Sequence, residues 1–385
     1  MNNLVLYRKY RPQNFFDIVA QEHIVKTIGN AISAKMVSHA YLFCGPRGTG
    51  KTTLARLLAK SVNCENRKEG DFEPCNKCNS CVEITQGRAI DLIEIDAASH
   101  RGIDEMRELK DGIRFGPTKS KYKIFIIDES HQLTKEASNA LLKTLEEPPA
   151  HAIFVLATTE IHKMIPTIIS RCQRFDFRKL TLQELVGQLE KICKKEDAKI
   201  EKPALELIAQ NATGSSRDAL SLLDQILAFQ TTFKKGSPVG LHPREITIDD
   251  TKNLLGLVEI ETVAKLTDFI IQKKLAEAVG FLNEVADGGM DLQEFSKAAI
   301  NYLRQILILK IAGADNQILT GLGKDELLRM ENQSKNFKEE DLQKIINFFL
   351  EAENKMRYSS IPQLPLELAI IESIGFGNGK VAAGK

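Results

Sequence analysis

Four short apolar runs stand out in the first 180 residues: Ala40–Cys44, Leu92–Ile95, Ile124–Ile127 and Ile153–Ala157. Each is bounded by Gly or by polar and charged residues. They read as strands buried on both faces, the pattern of a mainly parallel sheet. Between them the period changes: Leu54, Leu57 and Leu58 mark one face of a helix opening at Thr52. Short strands alternating with helices predict an open α/β sheet.

After residue 180 the strand signals stop. Thr181-Leu182-Gln183-Glu184 has the form of a capping box, and Leu182, Leu185, Leu189 and Ile192 continue it as one helical stripe. Pro203 suits a first helical turn, where its missing N–H is no loss. Leu205, Ile208 and Ala209 follow it, and a third helix carries Leu220, Leu223 and Leu227. Lys234–Pro243, rich in Lys, Gly and Pro, predicts a linker. Beyond it the pattern is helical again, most clearly at Leu342, Ile345, Ile346 and Phe349. The Gly/Ala/Lys-rich end, 375–385, is expected to be disordered.

A chain of 385 residues exceeds one comfortable core, so two or three domains are expected. Apolar residues at 43% and charged residues at 27% are ordinary for a soluble protein. No apolar run approaches the ~20 residues that span a bilayer. The N-terminus lacks the charged-then-apolar design of a signal peptide, which makes the cytoplasm the expected location. A formal net charge of +1 exerts no global pull on nucleic acid, so DNA contact needs a local patch or backbone amides.

Candidate chemistry begins at Gly45-Pro46-Arg47-Gly48-Thr49-Gly50-Lys51-Thr52, which fits G-x-x-x-x-G-K-[ST] between a strand and a helix. The glycines let backbone N–H groups turn inward around phosphates, and the helix N-terminus adds positive potential. Lys51 is expected to reach the β- and γ-phosphates, the Thr52 hydroxyl to ligate Mg²⁺, and Thr53 to complete the cradle. Lys123–Glu129 supplies a partner, an apolar strand ending in two carboxylates. Asp128 would hold the magnesium and Glu129 would polarise the attacking water; the plainer reading is a solvated pair capping the next helix. Thr158 and Thr159 stand at a strand end, either as γ-phosphate sensors or as ordinary threonines. Arg171 and Arg217 are arginines that spacing alone does not select.

Of seven cysteines, Cys44, Cys172 and Cys193 are scattered and read as small core residues. Cys64-x10-Cys75-x2-Cys78-x2-Cys81 instead gathers four thiols, the pattern of a metal site in a cytosolic chain. Two-residue gaps let neighbouring sulfurs converge on one tetrahedral Zn²⁺, and four thiolates leave no open position, so the metal would be structural. A Cys-x2-Cys-x2-Cys run also begins bacterial iron–sulfur motifs, though here the fourth Cys precedes the run and no Cys-Pro follows. Free thiols are the remaining reading.

Tyr10-Arg11-Pro12-Gln13, Gln21-Glu22-His23, the phosphate loop, the cysteine insert and Asp91–Ser99 occur in one order. Leu141–Pro149 and Ser170-Arg171-Cys172 follow. In that order the chain closely resembles the gamma/tau subunits of bacterial DNA polymerase III, densely through residue 230 and more thinly beyond. The resemblance implies an AAA+ P-loop NTPase domain with a zinc-binding insert over 1–179 and an all-α lid over 180–232. A linker over 233–243 and an all-α collar over 244–374, packing subunits into an open ring, complete it. It also implies an ATPase subunit of the clamp loader, within the polymerase holoenzyme. ATP binding would order the ring, which opens the beta sliding clamp and grips primed DNA by its backbone; hydrolysis would release both. ATP, Mg²⁺ and structural Zn²⁺ are the implied cofactors, and delta, delta-prime and further gamma/tau copies the implied partner subunits.

The same resemblance selects among the weak candidates. Thr159, with Thr158, matches sensor 1, and Arg217 matches the lid's sensor 2 arginine. Arg171 matches the finger that reaches a neighbouring subunit's ATP, and Arg11 and Pro12 fall near the adenine. The insert is longer than the family form between its first two cysteines, which a surface loop absorbs. The chain ends just past the collar, so a gamma-like or truncated form is expected. Ser99-His100-Arg101 is a candidate DNA contact or a solvated loop. Two alternatives remain, a non-hydrolysing delta-prime-like scaffold and another AAA+ DNA motor such as a branch-migration helicase. Lys51, Thr52 and Glu129 weigh against the first, and the cysteine insert and Ser-Arg-Cys segment against the second.

Overall fold

The computed structural model describes residues 4–99, 112–113, 115–234, 245–255, 260–313 and 324–375. Each of the four apolar runs is a strand: β1 (Ala40–Cys44), β2 (Leu92–Asp96), β3 (Lys123–Asp128) and β4 (Ala152–Thr158). A fifth strand that the pattern did not predict, β5 (Gln173–Asp176), pairs with β1. The order is β2-β3-β4-β1-β5, with every pairing parallel. β5 escaped notice because its one buried residue is Phe175, and an edge strand needs no more. The expectation of burial on both faces holds for β1, β3 and β4 but fails for β2. As the other edge, β2 turns Glu94 outward to Arg56.

Strand side chains alternate between faces. Tyr41, Phe43, Ile124, Ile126 and Val155 pack on one side against Ile24, Ile28 and Ile32 of the helix Glu22–Ser33. Leu54, Leu57 and Leu58 of the helix Lys51–Val62 join them there. Leu42, Phe125, Ile127, Phe154 and Leu156 pack on the other side, with Leu141 and Leu145 of the helix Lys135–Glu146. Parallel register puts Cys44 beside Thr158 and Asp96 beside Asp128, so the residues that follow β1, β3 and β4 leave from one edge of the sheet. That edge carries the candidate chemistry.

The capping box forms: Thr181 Oγ1 accepts from Glu184 N at 3.3 Å, and Glu184 Oε2 accepts from Thr181 N at 2.8 Å. The buried stripe of the helix Leu182–Lys195 is Leu185, Val186, Leu189, Ile192 and Cys193, whereas Leu182 is exposed beside the cap. Pro203 is the second residue of the helix Lys202–Asn211. The helix Ser216–Lys234 buries Leu220, Leu223 and Ile226, with Leu227 half-buried.

The chain divides into two compact units, Met1–Thr251 and Lys252–Lys385. The second is helical where described, with the helices Ile260–Ile271, Leu275–Asp287, Leu292–Ala312, Lys324–Lys335, Glu339–Met356 and Leu364–Gly375. Phe295, Leu342, Ile345 and Phe349 lie in its core, and Ile346 packs at the core's margin. One polar knot crosses it, in which Tyr302 Oη donates to Gln333 Oε1 at 2.6 Å and Gln333 Nε2 donates to Ala264 O at 3.0 Å. Among the described residues no helix is long and apolar enough to cross a membrane. His100, Arg101, most of the expected linker and residues 376–385 lie outside the described residues.

Candidate functional site

The phosphate loop leaves β1 with Gly45 at φ 143°, Gly48 at φ 76° and Gly50 at φ 103°, and the helix starts at Lys51. Gly48 has a second reason to lack a side chain, since a Cβ there would collide with Ser215 Oγ. Its carbonyl accepts from Ser216 N at 3.1 Å, tying the loop to the helical module. Lys51 is buried, and its Nζ donates to Gly45 O at 2.7 Å and Pro46 O at 2.8 Å. Burial pushes the Lys51 pKa down, and the nearby Glu129 and Asp128 pull it partly back.

Thr52 Oγ1 donates to Asp128 Oδ2 at 2.7 Å, joining the loop to the end of β3. Glu129 follows in a left-handed conformation, φ 46°, uncommon for a residue with a side chain. Its Oε2 accepts from Thr159 Oγ1 at 2.8 Å. Thr158 is fully buried, and its Oγ1 accepts from Glu160 N at 3.1 Å. So of the two strand-end threonines, only Thr159 reaches the carboxylate pair.

A pocket opens above these residues. Arg47, Gly48, Thr49, Gly50, Lys51, Thr52 and Thr53 form its floor, with Asp128 and Glu129 to one side. Ser216, Arg217 and Leu220 close it from the helical module, and Tyr7, Arg11, Pro12, Ile18 and Val19 from the N-terminal segment. The Arg217 guanidinium lies 4.9 Å from the Tyr7 ring centre, a cation–π contact. Burial pushes the Arg11 pKa down, and the positive charges of Arg56, Arg217 and Arg8 add to that. Cations crowded around a glycine-rich loop at a helix N-terminus suit a polyanion, and the Thr52–Asp128 pair suits its divalent counter-ion.

Gly45 and Pro46 lie beneath the Lys51 ammonium rather than in the pocket wall. Arg171 stands apart from the pocket, donating to Thr167 O at 2.8 Å and Glu146 Oε1 at 2.7 Å. Sequence reasoning missed Tyr7, Ile18, Val19, Gln188 and Ser216 as pocket residues. No motif marks them, and Leu220 was legible only as a core position.

The four cysteines come together, every Sγ within 4.8 Å of the others. Cys75 and Cys81 sulfurs are 4.0 Å apart. Zn–S bonds of about 2.3 Å in a tetrahedron require sulfurs about 3.8 Å apart, so the set fits one ion and is too tight to surround a cluster of several irons. Cys75 N donates to Cys64 Sγ at 3.3 Å, and Lys77 N and Cys78 N donate to Cys75 Sγ at 3.4 and 3.3 Å. Burial pushes the Cys75 thiol up, but those two N–H groups and its neighbouring thiols outweigh it and bring the pKa to about 6. Burial raises Cys64 and Cys81, so a bound cation is what would make all four thiolates.

The insert also grips the N-terminal segment. Glu73 accepts from Phe15 N at 3.0 Å and Phe16 N at 3.1 Å, Asn76 Nδ2 donates to Asn14 Oδ1 at 2.6 Å, and Phe72 packs on both phenylalanines. Lys60, buried beside the cysteines, donates to Gln13 Oε1 at 2.8 Å.

Three family models cover the chain. They describe the DNA polymerase III delta subunit (20–181), the ATPase lid domain of the DNA polymerase III clamp loader subunit (184–231), and domain III of DNA polymerase III subunits gamma and tau (246–377). DNA polymerase III subunit gamma of Buchnera aphidicola subsp. Schizaphis graminum is 36% identical over 376 residues, covering 97% of this chain and 99% of that one. The chain belongs to the DNA polymerase III gamma/tau family. Longer gamma/tau relatives match as well. Subunit tau of Bacillus subtilis is 43% identical over 97% of this chain, and that of Escherichia coli 36% identical over 98%. The chain spans 63% and 56% of their lengths. Among solved structures, the Thermotoga maritima RuvB branch migration motor aligns over 77% of this chain and 91% of its own. Identity there is 20% and the TM-score 0.48, too low to separate one function from another.

Proposed function

We propose that the chain is an ATPase subunit of a bacterial clamp loader, spending ATP to load the beta sliding clamp on primed DNA. The observation that carries this reading is the 2.7 Å bond from Thr52 Oγ1 to Asp128 Oδ2 under a complete phosphate loop, with Glu129 next in the chain. Thr52 and Asp128 hold Mg²⁺, which when bound neutralises phosphate charge. Lys51 exchanges the Gly45 and Pro46 carbonyls for the β- and γ-phosphates, and the backbone N–H groups from Gly48 to Thr53 cradle them. Glu129 orients the attacking water and accepts its proton. Thr159 moves from Glu129 to the γ-phosphate as sensor 1, and Arg217 moves from the Tyr7 ring to the phosphates as sensor 2. Arg11 and Pro12 flank the adenine. Arg171 serves the ATP site of a neighbouring subunit, where an arginine finger stabilises transition-state charge.

In this reading 1–179 is the AAA+ domain, 180–232 its lid and 244–374 the collar that joins delta, delta-prime and further copies of the chain. Cys64, Cys75, Cys78 and Cys81 hold one structural Zn²⁺. The protein works in the cytoplasm and grips DNA by its phosphates, with Ser99 among the candidate contacts. Metal analysis tests the zinc: one ion per chain is expected, lost in Cys78→Ser.

The deciding test measures ATP hydrolysis by the chain assembled with delta-type subunits, clamp and primed DNA. DNA-stimulated turnover is expected, abolished by Lys51→Ala without loss of assembly. A wild type that binds ATP and never turns it over under these conditions would replace this reading with the non-hydrolysing scaffold.

A further inference from the structure

His131 lies in the one-turn helix Ser130–Gln132 directly after β3, and no role has been given to it so far. Its side chain is 5% exposed, yet each ring nitrogen faces a carboxylate. Nδ1 is 3.5 Å from Glu129 Oε2, and Nε2 is 3.4 Å from Glu160 Oε1. Nδ1 also sits 3.0 Å from Thr158 Oγ1, the hydroxyl that caps Glu160 N. The far carboxylate is fixed in its turn, with Glu160 Oε2 2.8 Å from Lys163 Nζ and 3.4 Å from His162 Nε2.

The imidazole therefore spans from the end of β3 to the end of β4. A proton on Nδ1 meets Thr158 Oγ1 with Glu129 Oε2 beyond it, and a proton on Nε2 meets Glu160 Oε1, so the contact to Glu129 belongs to the ring that carries its proton on Nδ1. Glu129 Oε2 then has two restraints, the hydrogen bond from the Thr159 hydroxyl at 2.8 Å and the electrostatic attraction of the His131 Nδ1–H at 3.5 Å. The Thr159 bond is the one that breaks if Thr159 turns to a γ-phosphate.

We propose that His131 is a positioning residue for hydrolysis, holding the Glu129 carboxylate in its attacking direction once Thr159 has left it. This rests on the reading of Glu129 as the residue that orients water. His131 does not touch the nucleotide. It acts by tying Glu129 to Thr158 and Glu160, so that the γ-phosphate sensor and the base move against one fixed ring. Such an arrangement affects the step in which the base works and leaves nucleotide binding alone.

The test compares three substitutions in the full chain, assembled with its partner subunits on primed DNA. His131→Phe keeps the ring's bulk and removes its hydrogen bonds; it should lower kcat about tenfold or more, short of the roughly 10²–10⁴-fold that a general base contributes in full, with KM for ATP little changed. His131→Asn keeps a donor near the Nδ1 position and should recover a large part of that loss. Glu129→Gln is the control for the underlying reading. Wild-type turnover in His131→Phe overturns the positioning role, as does a loss appearing only in KM or equally in Phe and Asn. If Glu129→Gln itself hydrolyses ATP normally, the reading of the site has failed instead. Using Phe and Asn rather than Ala keeps the buried position filled, and a thermal melt of each variant separates lost positioning from lost folding.

Discussion

The first unit, Met1–Thr251, buries Lys51, Lys60 and Asp91, whereas the second buries no charged side chain among its described residues. Buried polar groups in the second are Thr267, Ser296, Gln333, Ser334 and Ser373, set in a core of Phe, Leu and Ile. Left-handed backbone follows the same division. Ala20, Lys35, Asn76, Glu129, Asp197 and Thr213 adopt it in the first unit and Lys273 alone in the second, among non-glycine described residues. Buried charge and backbone strain both cost free energy and persist only where surrounding structure imposes them. In the first unit each buried charge has dedicated partners: two carbonyls for Lys51, Gln13 for Lys60, and three N–H groups for Asp91. Chemistry and packing are thus partly separable in the first unit, and in the second packing is nearly all there is.

That contrast can be broken from its strongest side by Arg171→Ala. Arg171 is surface-held by Glu146, so its loss should leave folding and ATP binding by the isolated chain intact. In the assembled ring, turnover should fall by roughly 10³–10⁵. Mixing Arg171→Ala with Lys51→Ala subunits should restore part of it, by pairing an intact loop with an intact finger. No recovery in rings shown to hold both variants side by side would mean that Arg171 acts in cis or not at all. Phe349→Ala is the opposite case. Removing a fully buried ring from the second unit should cost about 3–5 kcal/mol of stability, read by denaturant unfolding. The folded fraction should still bind ATP normally, and a large change in intrinsic nucleotide affinity would contradict the separation.

Asp91→Asn probes a charge with no expected part in catalysis. Burial pushes its pKa up, but the N–H groups of Thr118, Lys119 and Ser120 outweigh that and leave it below the ordinary value. A depressed folded-state pKa stabilises the fold above the unfolded value of about 3.9, and the contribution disappears as pH falls through the folded value. At neutral pH the variant should lose about 1–3 kcal/mol, and its gap from wild type should close in acid. A gap independent of pH would assign the effect to shape. Thr181→Ala is the smallest of the series, expected to cost about 1 kcal/mol through the capping box with turnover per folded molecule unchanged.

Legibility in the sequence followed the same divide between motif and packing. Gly45–Thr52 and Asp128–Glu129 were readable because their chemistry demands fixed residue types at fixed spacing, and Thr52 meets Asp128 across the fold. Strands β1 to β4 were readable because each carries a run of apolar residues, even β2 at an edge, and β5 was lost because Phe175 is its single buried position. Leu182 was misplaced because the same period also fits Val186, and only packing decides which residue at the helix start faces inward. Tyr7, Ile18 and Val19 look like ordinary apolar residues until the fold sets them beside the phosphate loop. His131, in the polar stretch Ser130-His131-Gln132, reads as surface, yet the turn folds it inward between two carboxylates.

The grip of the cysteine insert on residues 14–16 bears on the order in which the chain can assemble itself. Arg11 and Pro12 emerge before the insert during synthesis, but the segment that follows them is fastened by Glu73, 58 residues downstream of Phe15. Closing a loop of that length carries an entropic cost that a local turn avoids, and contacts of high sequence separation form late. One wall of the pocket therefore waits for the insert, and its floor waits longer still, because β1 pairs with β4 and β5 and Gly48 O is held by Ser216 N. A chain that has emerged only as far as Val62 would lack both the fastening on the pocket's near side and the strands that hold its phosphate loop.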